Sequence, residues 1–197
     1  MAGPVCAAAV VLPAGFPGTA LDDSKKLNPR QREEARRLIV EGALAWGIGW
    51  ASHTEIDSVN ILQASLLAMR RAFCLLTAAA GEGGAGQWPC SLETEAPFGR
   101  PFVPALLPEN LNVIVDGLYV PDLGVPCTAL VKADASVHEV MAASILAKTA
   151  RDRLMEHYGR LYPLYGYAQH KGYPVKEHKK RIRLYGPSPI QRMSFRY

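Results

Sequence analysis

Cysteine is scarce in this chain of 197 residues, and none of the four is placed to pair. Cys6, Cys74, Cys90 and Cys127 form no CxxC and have no histidine at ligand spacing, which excludes a sequence-evident zinc site or disulfide framework and makes a reducing, cytoplasmic setting the expectation. No GxxxxGK[ST] phosphate loop occurs, and the glycines between residues 81 and 86 read as low complexity. No apolar run is expected to reach the roughly 20 residues of a membrane span. The apolar start, MAGPVCAAAVVLPAG, lacks a basic leader, and its framing prolines make it a buried strand. Acidic residues are nearly absent from the last quarter. Residues 1–147 carry 10 Lys and Arg against 15 Asp and Glu, whereas residues 148–197 carry 12 against 3. A basic end on a mildly acidic body fits a polyanion partner, although a merely solvated tail has the same composition.

What is present centres on residues 111–155. Leu111 to Val115 is a short β-branched run closed by Asp116-Gly117, and Cys127 to Val131 is a second, closed by Lys132-Ala133-Asp134. Both read as buried strands. Val137, Val140, Met141, Ile145 and Leu154 then keep a helical period over residues 136–158. Carboxylates at strand ends with a helix starting beside them are where α/β sheets carry chemistry. Each aspartate also has a plainer use, Asp116 in a turn and Asp134 as part of a helix cap.

Around this centre, Val5–Leu12 and Leu44–Ala51 read as strands. Asn28 and Pro29 open a helix that Gly42 stops. A second helix, capped by Asp57 or Ser58, is expected to bury a stripe of Val59, Leu62, Leu66, Met69, Phe73 and Leu76. Residues 78–109, rich in Gly and Pro, read as a surface insertion. The tail, residues 159–197, interleaves tyrosines with cations, a composition that neutralises phosphates and stacks on bases and sugars. Tyr173 is the best-placed ring for that. Ser24, Lys25, Lys148 and Arg151 are candidate phosphate contacts, with Ser144, Lys148 and Arg151 sharing one helix face.

These stretches together resemble the type 2 ribonucleases H, ribonuclease HII. The likeness rests on AGPVCAAAVVL (2–12), LDDSKKL (21–27), EIDSVNILQASLLAM (55–69), VDG (115–117), KADA (132–135), AASILAKTARDRLM (142–155), YPLYGYAQHKGY (162–173) and GPSPIQRMSF (186–195), in family order. It implies a single α/β domain, a ribonuclease H-like mixed five-stranded sheet flanked by helices with a helical C-terminal part. It further implies endonucleolytic cleavage of RNA in RNA–DNA hybrids, incision at single ribonucleotides in duplex DNA, and a four-carboxylate site for Mg²⁺ or Mn²⁺. Asp116 and Asp134 match the third and fourth carboxylates, and Tyr173 the tyrosine that stacks at the RNA-to-DNA junction. A monomer with no membrane partner is expected. The family's Asp-Glu-Ala-Gly-Arg-Gly strand, which supplies the first two carboxylates and the central strand of the sheet, has no counterpart here. Its absence is expected to leave unpaired ladder groups on two flanking strands. A start upstream of Met1 is one explanation. A catalytically inactive hybrid-binding protein and a non-functional fragment are the alternatives.

Overall fold

The computed structural model describes residues 1–77, 99–100 and 111–196. Apart from residues 99–100, the expected 78–109 insertion lies outside them. In chain order the elements are β1 (Val5–Val11), α1 (Pro29–Gly42), β2 (Ala45–Ala51), α2 (His53–Thr77), β3 (Gly99–Arg100), β4 (Val113–Asp116), β5 (Cys127–Leu130), α3 (His138–Leu161), α4 (Tyr167–His170) and α5 (Lys176–Tyr185). The expected α/β class and the helical C-terminal part are both present.

Local chemistry explains several boundaries. Asn28 accepts from the Gln31 amide and Gln31 reaches back to the Asn28 amide, a reciprocal cap with Pro29 at the first helical position. The start of α2 differs from the expected Asp57 or Ser58 cap. Ser52 and Glu55 cap each other's backbone at distances of 2.8 and 3.1 Å. The helix then breaks at Asn60 (φ 70°, ψ 168°), whose side chain accepts from the amides of Leu62 and Gln63 and restarts it. Asp57 is used elsewhere, accepting from the backbone of Met193 and Ser194.

The buried face of α2 also differs from the expected stripe. Val59 and Leu62 are exposed, whereas Phe73 and Leu76 are buried as expected, and Ile56, Ala64, Ala68 and Ala72 complete the buried face. Small residues are required because the backbones nearly touch. A Cβ on Gly49 would lie 2.1 Å from the Ala68 carbonyl oxygen, and one on Gly47 2.3 Å from that of Ala72. By length and composition α2 is also apolar enough to cross a membrane, which corrects the expectation that no run reaches that size. Its Ala face on β1 and β2 is how a core helix is packed.

β1 and β2 pair antiparallel from Val5 opposite Ala51 to Val11 opposite Ala45, and β3 adds to β2. β4 and β5 pair in parallel. Among the described residues the five strands form two sheets, of three and two strands, in place of the single five-stranded sheet expected. Between β1 and β4 lies a cavity of about 600 Å³, lined by Cys6–Val11, by Val113–Asp116, by Met69, Phe73 and Leu76 of α2, and by Val140 of α3. Among the described residues β1 pairs with β2 alone and β4 with β5 alone. Met69, Phe73 and Leu76 line this cavity, and Leu76 also packs on Ala45, Ala9 and Val11 of the three-stranded sheet. The main core lies on the other side of β1, where Ile39, Trp46, Ile145 and Leu146 are almost wholly buried between α1, β2 and α3.

The tail is folded onto the N-terminal segment. Arg192 donates from Nε to the Gly3 carbonyl (2.8 Å) and from Nη2 to that of Pro4 (3.2 Å), and the Gln191 amide donates to Met1 O (2.7 Å). Burial, then the neighbouring Arg151, lowers the Arg192 pKa to about 10, so it remains a cation at neutral pH. The GPSPIQRMSF stretch therefore acts here as a clasp, with Arg192 only 7% exposed, and not as a free cationic arm.

Candidate active site

Asp116 is the last residue of β4, opposite Leu130 at the end of β5. Both strands of this parallel pair therefore end on the same side, with the turn of Ala133–Ala135 just beyond β5. Lys132 enters that turn in the left-handed conformation (φ 61°, ψ 33°), uncommon for a residue with a side chain. The Ala133 amide then donates to Asp116 Oδ1 at 3.0 Å. One strand's carboxylate thereby holds the backbone next to the other carboxylate, and the two expected metal ligands become neighbours. Asp116 is exposed, whereas Asp134 is 6% exposed. Asp134 does not cap α3: Val137 occupies that position and no side chain caps it.

Asp134 has a different partner. Lys25 Nζ donates to Asp134 Oδ2 at 2.9 Å and lies 3.8 Å from Asp23 Oδ1. The hydrogen bond to Asp134, with the fields of Asp134, Asp23 and Asp116 behind it, raises the Lys25 pKa. The LDDSKKL loop is thus tied to the strand-end aspartates through a lysine expected to meet phosphate. Ser24, its expected companion, is 5% exposed and faces inward, and its carbonyl accepts from Arg32 Nη1 at 3.0 Å. Of the two residues, only Lys25 faces solvent.

Tyr173 sits on a second wall. Its ring is 50% exposed. Lys148 Nζ lies 5.7 Å and Arg151 Cζ 5.3 Å from the ring centroid, within cation–π range. The three expected substrate contacts therefore form one platform, with both cations already engaged. Lys148 pairs with Asp152 (2.7 Å), and Arg151 donates to the carbonyls of Pro4 (3.2 Å) and Ala2 (3.4 Å). The platform is fixed by Gly172 (φ 79°), where a Cβ would stand 2.6 Å from the Ala2 carbonyl oxygen.

Sequence reasoning missed what anchors this loop. His170 and His178 stack with centroids 4.4 Å apart at 15°. His170 Nε2–H donates to Tyr165 O (2.8 Å) and its Nδ1 accepts from the Gly172 amide (3.2 Å), while His178 Nδ1–H donates to Tyr173 O (2.9 Å). Burial is the main cause that lowers both pKa values and keeps the rings neutral. The two rings thus serve here as packing and hydrogen-bonding groups. The signal was eight-residue spacing across a turn, which no local period reports.

Two clustered aspartates offer hard oxygen donors, suited to Mg²⁺ or Mn²⁺. That Asp134 already draws an ammonium shows that the position attracts a cation. The donors are few, however. Among the described residues no group of three or more His, Cys, Asp or Glu is placed to hold a metal ion.

Comparison with known proteins bears on this geometry. The profile of the family described as Ribonuclease HII matches residues 118–197. The chain is 50% identical over 199 residues to a Ribonuclease HII of Treponema denticola, covering 99% of this chain and 91% of that one. It is 42% identical over 197 residues to that of Moorella thermoacetica, covering 100% and 81%. Among solved structures, the ribonuclease H2 of Pyrococcus horikoshii is similar in fold, with a TM-score of 0.65 at 22% identity, covering 98% of this chain and 87% of that one.

Proposed function

This chain belongs to the ribonuclease HII family, metal-dependent endonucleases that act on the RNA of RNA–DNA hybrids, and from that premise we propose a finer activity and its residues. The chain incises at single ribonucleotides in duplex DNA as well as within longer RNA tracts, leaving 5′-phosphate and 3′-hydroxyl ends. Asp116 and Asp134 hold Mg²⁺ or Mn²⁺ in a two-metal site. What such ions supply when bound is activation of a water and neutralisation of charge on the leaving 3′-oxygen.

The chain's own part is positional. Asp116 and Asp134 face the scissile phosphate from the end of β4 and from the turn Ala133–Ala135, kept together by the Ala133 amide. Tyr173 stacks on the sugar at the RNA-to-DNA junction, with Lys148 and Arg151 beside it and Lys25 near the backbone phosphates. Ser24 contributes through the shape of the loop. The observation that carries this reading is the Asp116–Ala133 bond, because it brings the carboxylate at the end of β4 beside the turn that holds Asp134.

The test is cleavage of an end-labelled duplex containing one ribonucleotide, with Mg²⁺ or Mn²⁺. Asp116→Asn retains an oxygen acceptor for Ala133, so the fold is expected to survive while cleavage falls at least about a hundredfold, the order seen when a key electrostatic group is removed. Undiminished cleavage by the folded variant would refute the assignment. A second reading, hybrid binding without cleavage, is favoured by the scarcity of metal donors among the described residues. It predicts salt-sensitive binding to the same duplex and no product with either ion.

A further inference from the structure

A half-exposed ring such as that of Tyr173 is aimed mainly by the backbone that carries it, and here that backbone is tied on both sides. The Tyr173 amide donates to the His170 carbonyl at 2.9 Å. The Tyr173 carbonyl accepts twice, from the Val175 amide at 2.9 Å and from His178 Nδ1–H at 2.9 Å. Pro174 follows, which restricts Tyr173 to extended conformations. With both peptide groups held, the direction in which the Tyr173 side chain leaves the main chain is fixed. The bond from His178 is the one that a side chain supplies, reaching back from the first turn of α5.

His178 is wholly buried, yet packing alone does not call for an imidazole there. A polar ring removed from water costs free energy unless it is hydrogen-bonded. Its Nε2 lies beside the Gln191 side chain without a well-formed bond, so the bond to Tyr173 is what offsets that cost. The ring itself is held still, stacked on His170 and edge-on to Tyr167 with centroids 5.5 Å apart. We propose that His178 is a positioning residue for substrate binding, which aims the Tyr173 ring by holding the Tyr173 carbonyl. This rests on the reading of Tyr173 as a substrate contact.

The experiment compares two amides in the whole chain, His178→Asn and His178→Gln. Asparagine carries its N–H₂ group near the position of Nδ1, and glutamine near that of Nε2. Tyrosines are replaced by 3-fluorotyrosine, and the Tyr173 fluorine resonance is identified by its loss in Tyr173→Phe. Binding of a fluorescein-labelled duplex with one ribonucleotide is followed by anisotropy in EDTA, so that no strand is cut. His178→Gln is expected to move the Tyr173 resonance and to weaken binding about three- to tenfold. His178→Asn is expected to stay within about twofold of the wild type in binding and to leave the resonance in place. Tyr173→Ala is expected to bind about tenfold more weakly, and in that background His178→Gln should cost less than about twofold. Thermal unfolding confirms that each variant is folded. A moved resonance or a tenfold loss in folded His178→Asn overturns the proposal, whether or not the glutamine variant folds. An unmoved resonance in His178→Gln overturns it too, as does a binding loss that persists undiminished without the Tyr173 ring, which marks a general structural role. Binding by Tyr173→Ala as tight as the wild type overturns the substrate reading of that ring and the proposal with it. That failure is told apart from the others because the resonance still moves in His178→Gln.

Discussion

Replacing Arg192 with methionine tests whether the tail is a clasp or a nucleic-acid arm. The guanidinium makes two hydrogen bonds to buried carbonyls, at Gly3 and Pro4, and stacks over Phe195 with Cζ 5.3 Å from the ring centroid. Hydrogen bonds from a charged donor contribute about 1.5–3 kcal/mol each. The gross loss is offset because methionine buries no charge and because repulsion from Arg151 disappears. A net destabilisation of about 2–4 kcal/mol is expected, read as a lower urea midpoint at unchanged slope. Arg151 donates to the same Pro4 oxygen at 3.2 Å, so Arg151→Met and Arg192→Met should not add, with a coupling of about 0.5–3 kcal/mol in a double-mutant cycle. Because Ala2 donates to Gly172 O, a loosened N-terminal segment should also weaken hybrid binding through Tyr173. A stability loss below about 0.5 kcal/mol, the size of an ordinary surface substitution, would refute the clasp. So would additive behaviour of the pair.

Two further substitutions probe the fold that carries the site. Gly49→Ala places a Cβ 2.1 Å from one backbone atom of α2 and 2.4 Å from another, so the helix itself must shift; a loss of at least about 1–3 kcal/mol is expected by chemical denaturation. Glu55 has its pKa lowered to about 2, first by the hydrogen bond from Arg71, so its stabilisation is present above about pH 4.5 and lost as pH falls towards 2. Both partners are about one-third exposed, which reduces the effect to about 1–2 kcal/mol. Arg71→Met should flatten the fall in urea midpoint across that window, and an unchanged fall would show that the pair does not contribute.

Much of this was readable because it is local. Asn28-Pro29 with Gln31 specifies a helix start within four residues, and the β-branched runs ending at Asp116 and before Lys132 specify strand ends. Ser52 and Glu55, three apart, carried the same kind of signal and were overlooked in favour of Asp57. The α2 stripe misled for a physical reason. Helical period says which residues share a face, but not whether that face meets a sheet whose glycines bring backbone to backbone, where only alanine fits. Likewise the basic tail was correct in composition, yet charge counts do not distinguish an arginine in solvent from one buried on carbonyls.

The sequence by itself determined the α/β class, the elements at the strand ends and the two aspartates, since these follow from short-range pattern and from motifs in fixed order. Only the tertiary structure decided what those residues touch. It set Lys25 on Asp134 at a separation of 109 residues, Ala133 on Asp116, and Arg192 on the first residues of the chain. It also left the strands as two sheets about a cavity. Such contacts are governed by which surfaces the chain must bury together, and no period along the sequence encodes that distance.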